Sequence, residues 1–314
     1  MVFEFSEKHI ADYHLFGYTV FREILPSALV EDLRKETDKA REIAYEVTGS
    51  QAQRLQPLSN YDLNLQPFKN YGELPELNDA IHQVLTPNHY HADLERTGIL
   101  LEPAEYPWCT DWHRDWRDHM PEEVFESEFR EEWDEQTFDI DAMNQINCAL
   151  YDDPSTWIVP GSHYRQRNLP GEVAAKRAFD AETNGMPKGV YRRGFTAFGV
   201  IYLDDVLDPH SGNFTVWPKS HTCFEAYFKH EGHEILAEGM PRIDLPEPPV
   251  MVTGRAGDFI LAHHAMVHTG GPNASPDVRY ATIARLKHKD CDANGVGVYT
   301  DIWREWSGIV DVLS

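Results

Sequence analysis

Apolar positions follow helical spacing in several stretches of the first ninety-five residues. From residue 97 onward they come in short runs cut by Gly, Pro and Asp. Ser6 is placed to cap a short helix that stops at Gly17, and residues 18–24 read as a strand. Ser27 is placed to cap a longer amphipathic helix carrying Leu29, Val30, Leu33 and Ile43. Residues 49–73 read as irregular, with Gln51, Gln53, Gln56 and Gln66 among prolines and aromatics. A further helix is expected around Leu77, Ile81, Val84 and Leu85. Strands are expected near 97–103, 145–151, 156–159, 196–203, 213–217, 249–253, 258–262 and 279–287. Many short strands after a helical start predict a mainly β chain with flanking α-helices. The expected core is a double-stranded β-helix, the cupin-like jelly roll. No linker interrupts the pattern, so one domain is expected over 1–314. Helical support would span about 1–95 and the jelly-roll core about 96–290.

Two insertions break the run of strands. Residues 117–141 interleave Glu122, Glu123, Glu126, Glu128, Glu131, Glu132, Asp134 and Glu135 with Phe125, Phe129 and Trp133. Residues 164–195 carry Arg165, Arg167, Arg192 and Arg193. A solvated helix and a polar loop are the default readings of such stretches.

Composition narrows the picture further. A chain of 314 residues can bury a large core, and 41% hydrophobic residues with 8 Trp, 14 Tyr and 15 Phe mark it as globular. The formal charge of −24 argues against nucleic acid or anionic membrane as a partner. Cys109, Cys148, Cys223 and Cys291 lack metal-ligand spacing and read as reduced thiols of a cytoplasmic protein. No signal peptide opens the chain, and no apolar run reaches the ~18 residues a membrane span needs.

Chemistry enters with Trp112-His113-Arg114-Asp115-Trp116, a His-x-Asp pair behind the apolar run Gly98-Ile99-Leu100-Leu101. Side chains two apart on a strand point to one face, so His113 and Asp115 can grip one ion. His268 offers a third ligand, and Arg279 follows it by eleven residues. Two imidazoles and one carboxylate make the facial triad of non-haem Fe(II) oxygenases, which leaves positions open for a cosubstrate and O₂. An arginine suits a dicarboxylate cosubstrate, because its planar fork grips a carboxylate bidentately. Two other His-x-Asp strings fit less well. His91-Ala92-Asp93 follows Pro87 and Asn88 and reads as loop, and His288-Lys289-Asp290 has no later histidine to complete a triad. His264 and His268 have the spacing of a zinc helix, but no Glu follows His264 to act as a hydrolase base. His263 or His264 is therefore read as structural and His268 as the ligand. Arg285 shares a strand face with Arg279 and is its rival for the anchoring role.

At these residues the chain resembles the phytanoyl-CoA dioxygenase family of Fe(II)/2-oxoglutarate oxygenases. Phe16-Gly17-Tyr18-Thr19-Val20-Phe21-Arg22-Glu23-Ile24-Leu25 looks like that family's opening, and Trp157-Ile158-Val159-Pro160-Gly161-Ser162-His163 is similar to its Pro-Gly-Ser-His turn. Gly257-Asp258, His268, Gly271-Pro272-Asn273, Ser275 and Arg279 fit its distal pattern. Two departures stand out. The serine that many members carry two residues after the distal histidine is here Gly270, so Thr269 or another hydroxyl takes that contact, or it is missing. A strand–turn unit also occurs twice, over 149–163 and 201–221, and either copy can supply the middle barrel strands. His163 and His221 read as turn or cap residues.

The resemblance implies that His113, Asp115 and His268 hold Fe(II), and that Arg279 binds the far carboxylate of 2-oxoglutarate. It implies oxidation of a C–H bond with O₂, leaving succinate and CO₂. Gln145 and Asn147 are placed to hydrogen-bond cosubstrate or substrate. Trp116, Phe129 and Trp133 are placed to line or cover a small-molecule substrate, which makes 117–141 a candidate lid. Asp115 counts against halogenation, since related halogenases lack that carboxylate. A peptide or protein substrate, a non-redox metal protein and a non-catalytic binding module are the rival expectations.

Overall fold

The computed structural model describes residues 3–48, 54–55, 61–91, 97–101, 195–232, 243, 245, 247–271, 273 and 275–306. The chain opens with helix α1 (Glu7–Phe16), where the His9 ring reaches back to the Ser6 amide at 3.0 Å. Gly17 ends it at φ 85, a left-handed conformation that suits a residue without Cβ. Strand β1 (Tyr18–Phe21) follows and is shorter than its apolar pattern suggested. It stops because the Glu23 amide turns onto the Asp258 carboxylate at 2.7 Å, with Glu23 at φ 50. Helix α2 (Ser27–Thr48) begins one residue earlier than expected. Pro26 holds the cap, since its carbonyl accepts the amides of Leu29 and Val30, and Ser27 is already helical.

The stretch read as irregular contains strand β2 (Arg54–Leu55) and helix α3 (Gln66–Gly72). Pro67 is tolerated in the first turn of α3, where an amide would lack a partner anyway. Phe68 and Tyr71, three apart, bury one face of that short helix. Helix α4 (Pro75–Leu85) matches its 3.6-residue pattern and buries Leu77, Ala80, Ile81, Val84 and Leu85. Strand β3 (His89–His91) corrects the loop expected around His91, and β4 (Thr97–Leu101) follows.

After residue 195 come β5 (Ala197–Tyr202), β6 (Phe214–Trp217) and helix α5 (Ser220–Glu231). Then follow β7 (Val250–Met251), β8 (Phe259–His263), β9 (Val267–Gly270) and β10 (Arg279–His288). Helix α6 (Cys291–Asn294) and a 3₁₀ turn (Gly295–Tyr299) close the described chain. Neither α5 nor β9 was expected from periodicity. The second copy of the strand–turn unit supplies β5 and β6; the first copy lies outside the described residues.

The strands form two antiparallel sheets. The larger runs β1-β8-β5-β10-β4-β2, with β3 also paired to β10, and the smaller runs β7-β6-β9. Strand alternation divides the large sheet cleanly. Ala197, Ile201, Phe259, Leu261, Tyr280, Ala284 and Leu286 pack against the helices, joined by Tyr13, Leu33, Phe68 and Ile81. Phe198, Val200, Tyr202, Ile260, Ala262 and Ala281 face the small sheet and meet Phe214, Val216 and Val252 there. The chain crosses between sheets from β5 to β6, from β7 to β8, from β8 to β9 and from β9 to β10. No helix among the described residues is long and apolar enough to cross a membrane.

Candidate functional site

β8 leaves the large sheet through a tight turn in which the Met266 amide returns to the His263 carbonyl at 3.0 Å. β9 then enters the small sheet, pairing His268 with Val216 and Gly270 with Phe214. Val216 belongs to the core between the sheets, so the alternation of β9 turns His268 inward as well. The His268 ring lies 4.7 Å from the Phe198 ring and 5.6 Å from the Phe214 ring. Its Nδ1 is 3.0 Å from the Met266 carbonyl, which fixes the proton on Nδ1 and directs the Nε2 lone pair away from it. A ring oriented by a backbone carbonyl behind it is what a metal ligand needs.

His263 is used differently. Its Nε2 is 3.2 Å from the Ile302 carbonyl and its Nδ1 accepts the Ala265 amide at 3.0 Å, so it is a structural residue of the turn. His221 sits at the start of α5 with Nε2 on the His14 carbonyl at 3.0 Å, also a structural role. His91 lies 3.2 Å from the Asn78 side chain, and His288 accepts the Asp290 amide at 3.1 Å.

Arg279 opens β10 opposite Leu101 of β4. The start of that strand is pinned: the Tyr280 amide donates to Asp204 at 3.1 Å, and the Leu203 amide donates to the Tyr280 carbonyl at 3.0 Å. On the helix side, the Arg34 guanidinium lies 3.2 Å over the Tyr280 ring and pairs with Asp204 at 2.9 Å. Arg279 shares a strand face with Ala281, which belongs to the core between the sheets. It is 5% exposed, and its Nε lacks a hydrogen-bond partner among the described residues. Burial pulls its pKa down to about 10, with Tyr202 and Asp204 opposing the shift, so it is cationic at neutral pH. A buried cation with an unused donor is costly unless an anion meets it. Arg285, six residues further along the same face, is half-buried with its guanidinium 4.9 Å from the Phe195 ring centroid.

Thr269 pairs with Thr215 and is buried, but alternation puts it on the opposite face of β9 from His268. His113, Asp115, Trp116, Phe129, Trp133, Gln145 and Asn147 lie outside the described residues. Among the described residues no group of three metal-binding side chains assembles, as expected when two of the three proposed ligands lie elsewhere. Sequence reasoning missed Tyr202, whose hydroxyl joins the two sheets beside Arg279. The signal available was its place in Ile201-Tyr202-Leu203-Asp204-Asp205, a string that echoes residues 149–153.

A model of the family described as phytanoyl-CoA dioxygenase matches residues 13–281, a span that includes both His268 and Arg279. The chain belongs to the phytanoyl-CoA dioxygenase family. Among solved structures, AviO1 from Streptomyces viridochromogenes Tue57 is similar at 14% identity and TM-score 0.51, over 90% of this chain and 95% of that one. The epimerase SnoN from nogalamycin biosynthesis, solved with Fe3+, alpha ketoglutarate and nogalamycin RO, is similar at 14% identity and TM-score 0.48. That match covers 90% of this chain and 82% of SnoN. HygX from Streptomyces hygroscopicus, solved with nickel and 2-oxoglutarate, is similar at 14% identity and TM-score 0.47, over 91% and 88% of the two chains. At such identity the likeness to AviO1 speaks for the fold alone. No curated protein sequence matches.

Proposed function

We propose that the chain is an Fe(II)- and 2-oxoglutarate-dependent dioxygenase that oxidises a C–H bond of a small molecule. The observation that carries this reading is Arg279, a buried guanidinium whose Nε–H is unused among the described residues, on the inner face that His268 also meets. Family membership supplies the reaction class. The paired sheets with strands crossing between them support a jelly-roll core, with the site between the sheets.

In this reading His113, Asp115 and His268 hold the iron, and Arg279 receives the far carboxylate of 2-oxoglutarate. When bound, the iron with 2-oxoglutarate and O₂ supplies the oxidising power and releases succinate and CO₂. The chain's own residues position and shield. The Met266 carbonyl keeps His268 in one tautomer, and Phe198 and Phe214 cover its ring against water. The Leu203–Asp204 corner fixes where Arg279 enters. Gln145 and Asn147 are proposed to contact cosubstrate or substrate, and Trp116, Phe129 and Trp133 to cover the substrate. Thr269 is left a lesser role, since it faces away from His268. The net charge of −24 favours a small molecule over a polyanion as substrate.

The test is anaerobic binding of Fe(II) and 2-oxoglutarate, followed by succinate release on admitting O₂. Wild type binds both and forms succinate. His113→Ala, Asp115→Ala and His268→Ala each lose metal and turnover with an unchanged melting temperature. Wild type that forms no succinate when loaded with Fe(II) and 2-oxoglutarate overturns the reading, and full activity in His268→Ala overturns the ligand assignment.

A further inference from the structure

Tyr202 is fully buried at the end of β5, and its hydroxyl has two partners in the opposite sheet. It donates to the Val252 carbonyl, just past β7, at 2.7 Å and accepts the Phe214 amide of β6 at 2.8 Å. Asn213 reaches the same Val252 carbonyl at 3.4 Å. Burial pushes the phenol up to about 12, so it keeps its proton and can both donate and accept at any ordinary pH. The hydroxyl therefore ties the large sheet to the small one at a single point.

That point lies between the two functional side chains. Tyr202 stands opposite Ala281 in the β5–β10 register, so Arg279, two residues before Ala281 on the same face, is its diagonal neighbour. The two side chains are close enough for each to shift the other's titration. On the other side, Phe214 takes the hydroxyl through its amide and packs its ring 5.6 Å from His268. β6 also carries Val216, the cross-strand partner of His268. One phenol thus touches the strand beside Arg279 and the strand beside His268.

We infer that Tyr202 is a positioning residue that sets the spacing between His268 and Arg279, and with it the affinity for 2-oxoglutarate. The inference rests on the roles given above to those two residues. A cosubstrate held at both ends, on the metal and on Arg279, senses that spacing. The metal alone does not, because Arg279 is not among its ligands. Removing the hydroxyl also leaves the Phe214 amide short of a partner in a buried place and leaves the Val252 carbonyl only the longer bond from Asn213, so the two sheets are free to shift there.

The experiment is calorimetric titration of 2-oxoglutarate into anaerobic Fe(II)-loaded protein, for wild type and Tyr202→Phe, with melting temperatures alongside. Tyr202→Phe is expected to weaken 2-oxoglutarate roughly tenfold, the loss of about one hydrogen bond's worth of ordering, while Fe(II) affinity stays within about twofold. Leu77→Ala, buried in α4 on the far side of the large sheet, is expected to lower the melting temperature without moving 2-oxoglutarate affinity. In an Arg279→Ala background the effect of Tyr202→Phe should disappear, since the phenol acts through that residue. A Tyr202→Phe protein that melts earlier but binds 2-oxoglutarate as wild type does overturns the inference and leaves Tyr202 a structural tie. An undiminished effect in the Arg279→Ala background overturns it too. If Tyr202→Phe does not fold, Tyr202→His is scored by the same criteria. Wild type that binds Fe(II) but not 2-oxoglutarate fails the proposed function itself, and this inference with it.

Discussion

A buried guanidinium whose Nε–H has no partner among the described residues is an unfinished interaction, and at Arg279 the partner proposed is the far carboxylate of 2-oxoglutarate. The residue is nearly inaccessible, remains charged because its pKa falls only to about 10, and faces the core between the sheets. A carboxylate meeting it forms charge-assisted, bidentate bonds, and losing one partner of such a pair costs on the order of 2–5 kcal/mol. Arg279→Ala is therefore expected to raise the 2-oxoglutarate requirement steeply, read as the apparent KM for 2-oxoglutarate in succinate formation. Arg279→Lys should recover only part of the loss, since a point charge does not reproduce the planar fork. Arg285→Ala is expected to leave that KM within about threefold, because its guanidinium is already placed over Phe195. An unchanged KM in Arg279→Ala with a loss in Arg285→Ala would transfer the anchoring role.

At the scale of elements, β5 is the strand that both halves of the molecule close upon, and Gly199 in its middle shows how tightly. A Cβ built there would meet the Phe259 ring at 2.0 Å, and Phe259 is itself stacked on Phe21 at 6.0 Å. Gly199→Ala should cost about 1–3 kcal/mol by overpacking, measured by urea unfolding. Phe259→Leu should return part of it in the double variant, and simple additivity of the two changes would show that they do not collide. Helices α1, α2 and α4 and strands β5, β6, β8 and β10 could be read because each keeps one periodicity over its length. β9 could not, since no Gly or Pro separates it from β8 in the run from Phe259 to His268, and a tight turn among His263–Met266 makes the break. Helix α3 was hidden by a glutamine-rich surround with only two buried aromatics to mark its face. His268 and Arg279 could be singled out as candidates from type and spacing, because the proposed ligand set needs those chemistries in that order. Tyr202 could not, because its partners lie 12 and 50 residues away and are backbone groups, which carry no residue signature.

At the scale of the whole molecule, helix α5 meets the segment around Trp303 through His221, which the fold keeps neutral. His221 has no exposed surface and stands 5.5 Å from the His263 ring and 5.6 Å from Trp303. Burial brings its pKa from 6.5 to about 4 against a hydrogen bond to the His14 carbonyl that works the other way, and the neighbouring His14 ring adds a smaller downward push. His91 is likewise brought to about 4 by burial and by His82. Between pH 6.5 and about 4 the unfolded chain binds protons at these positions that the folded chain refuses. The stability linked to their neutrality is thus complete above pH 6.5 and is lost as the pH falls toward 4. For His221 the whole shift corresponds to about 3 kcal/mol, at roughly 1.4 kcal/mol per pKa unit. Acidification also discharges a chain of net charge −24, which relieves self-repulsion and pushes the other way, so the wild-type profile alone mixes the two. A pair of profiles separates them. His221→Gln keeps an N–H donor for the His14 carbonyl but has nothing to protonate. Its urea-derived stability should fall less steeply than wild type from pH 6.5 to 5, with the two curves converging as the pH drops. Parallel curves over that range would mean that His221 takes up its proton without strain on the fold, and that the acid sensitivity of this chain lies elsewhere.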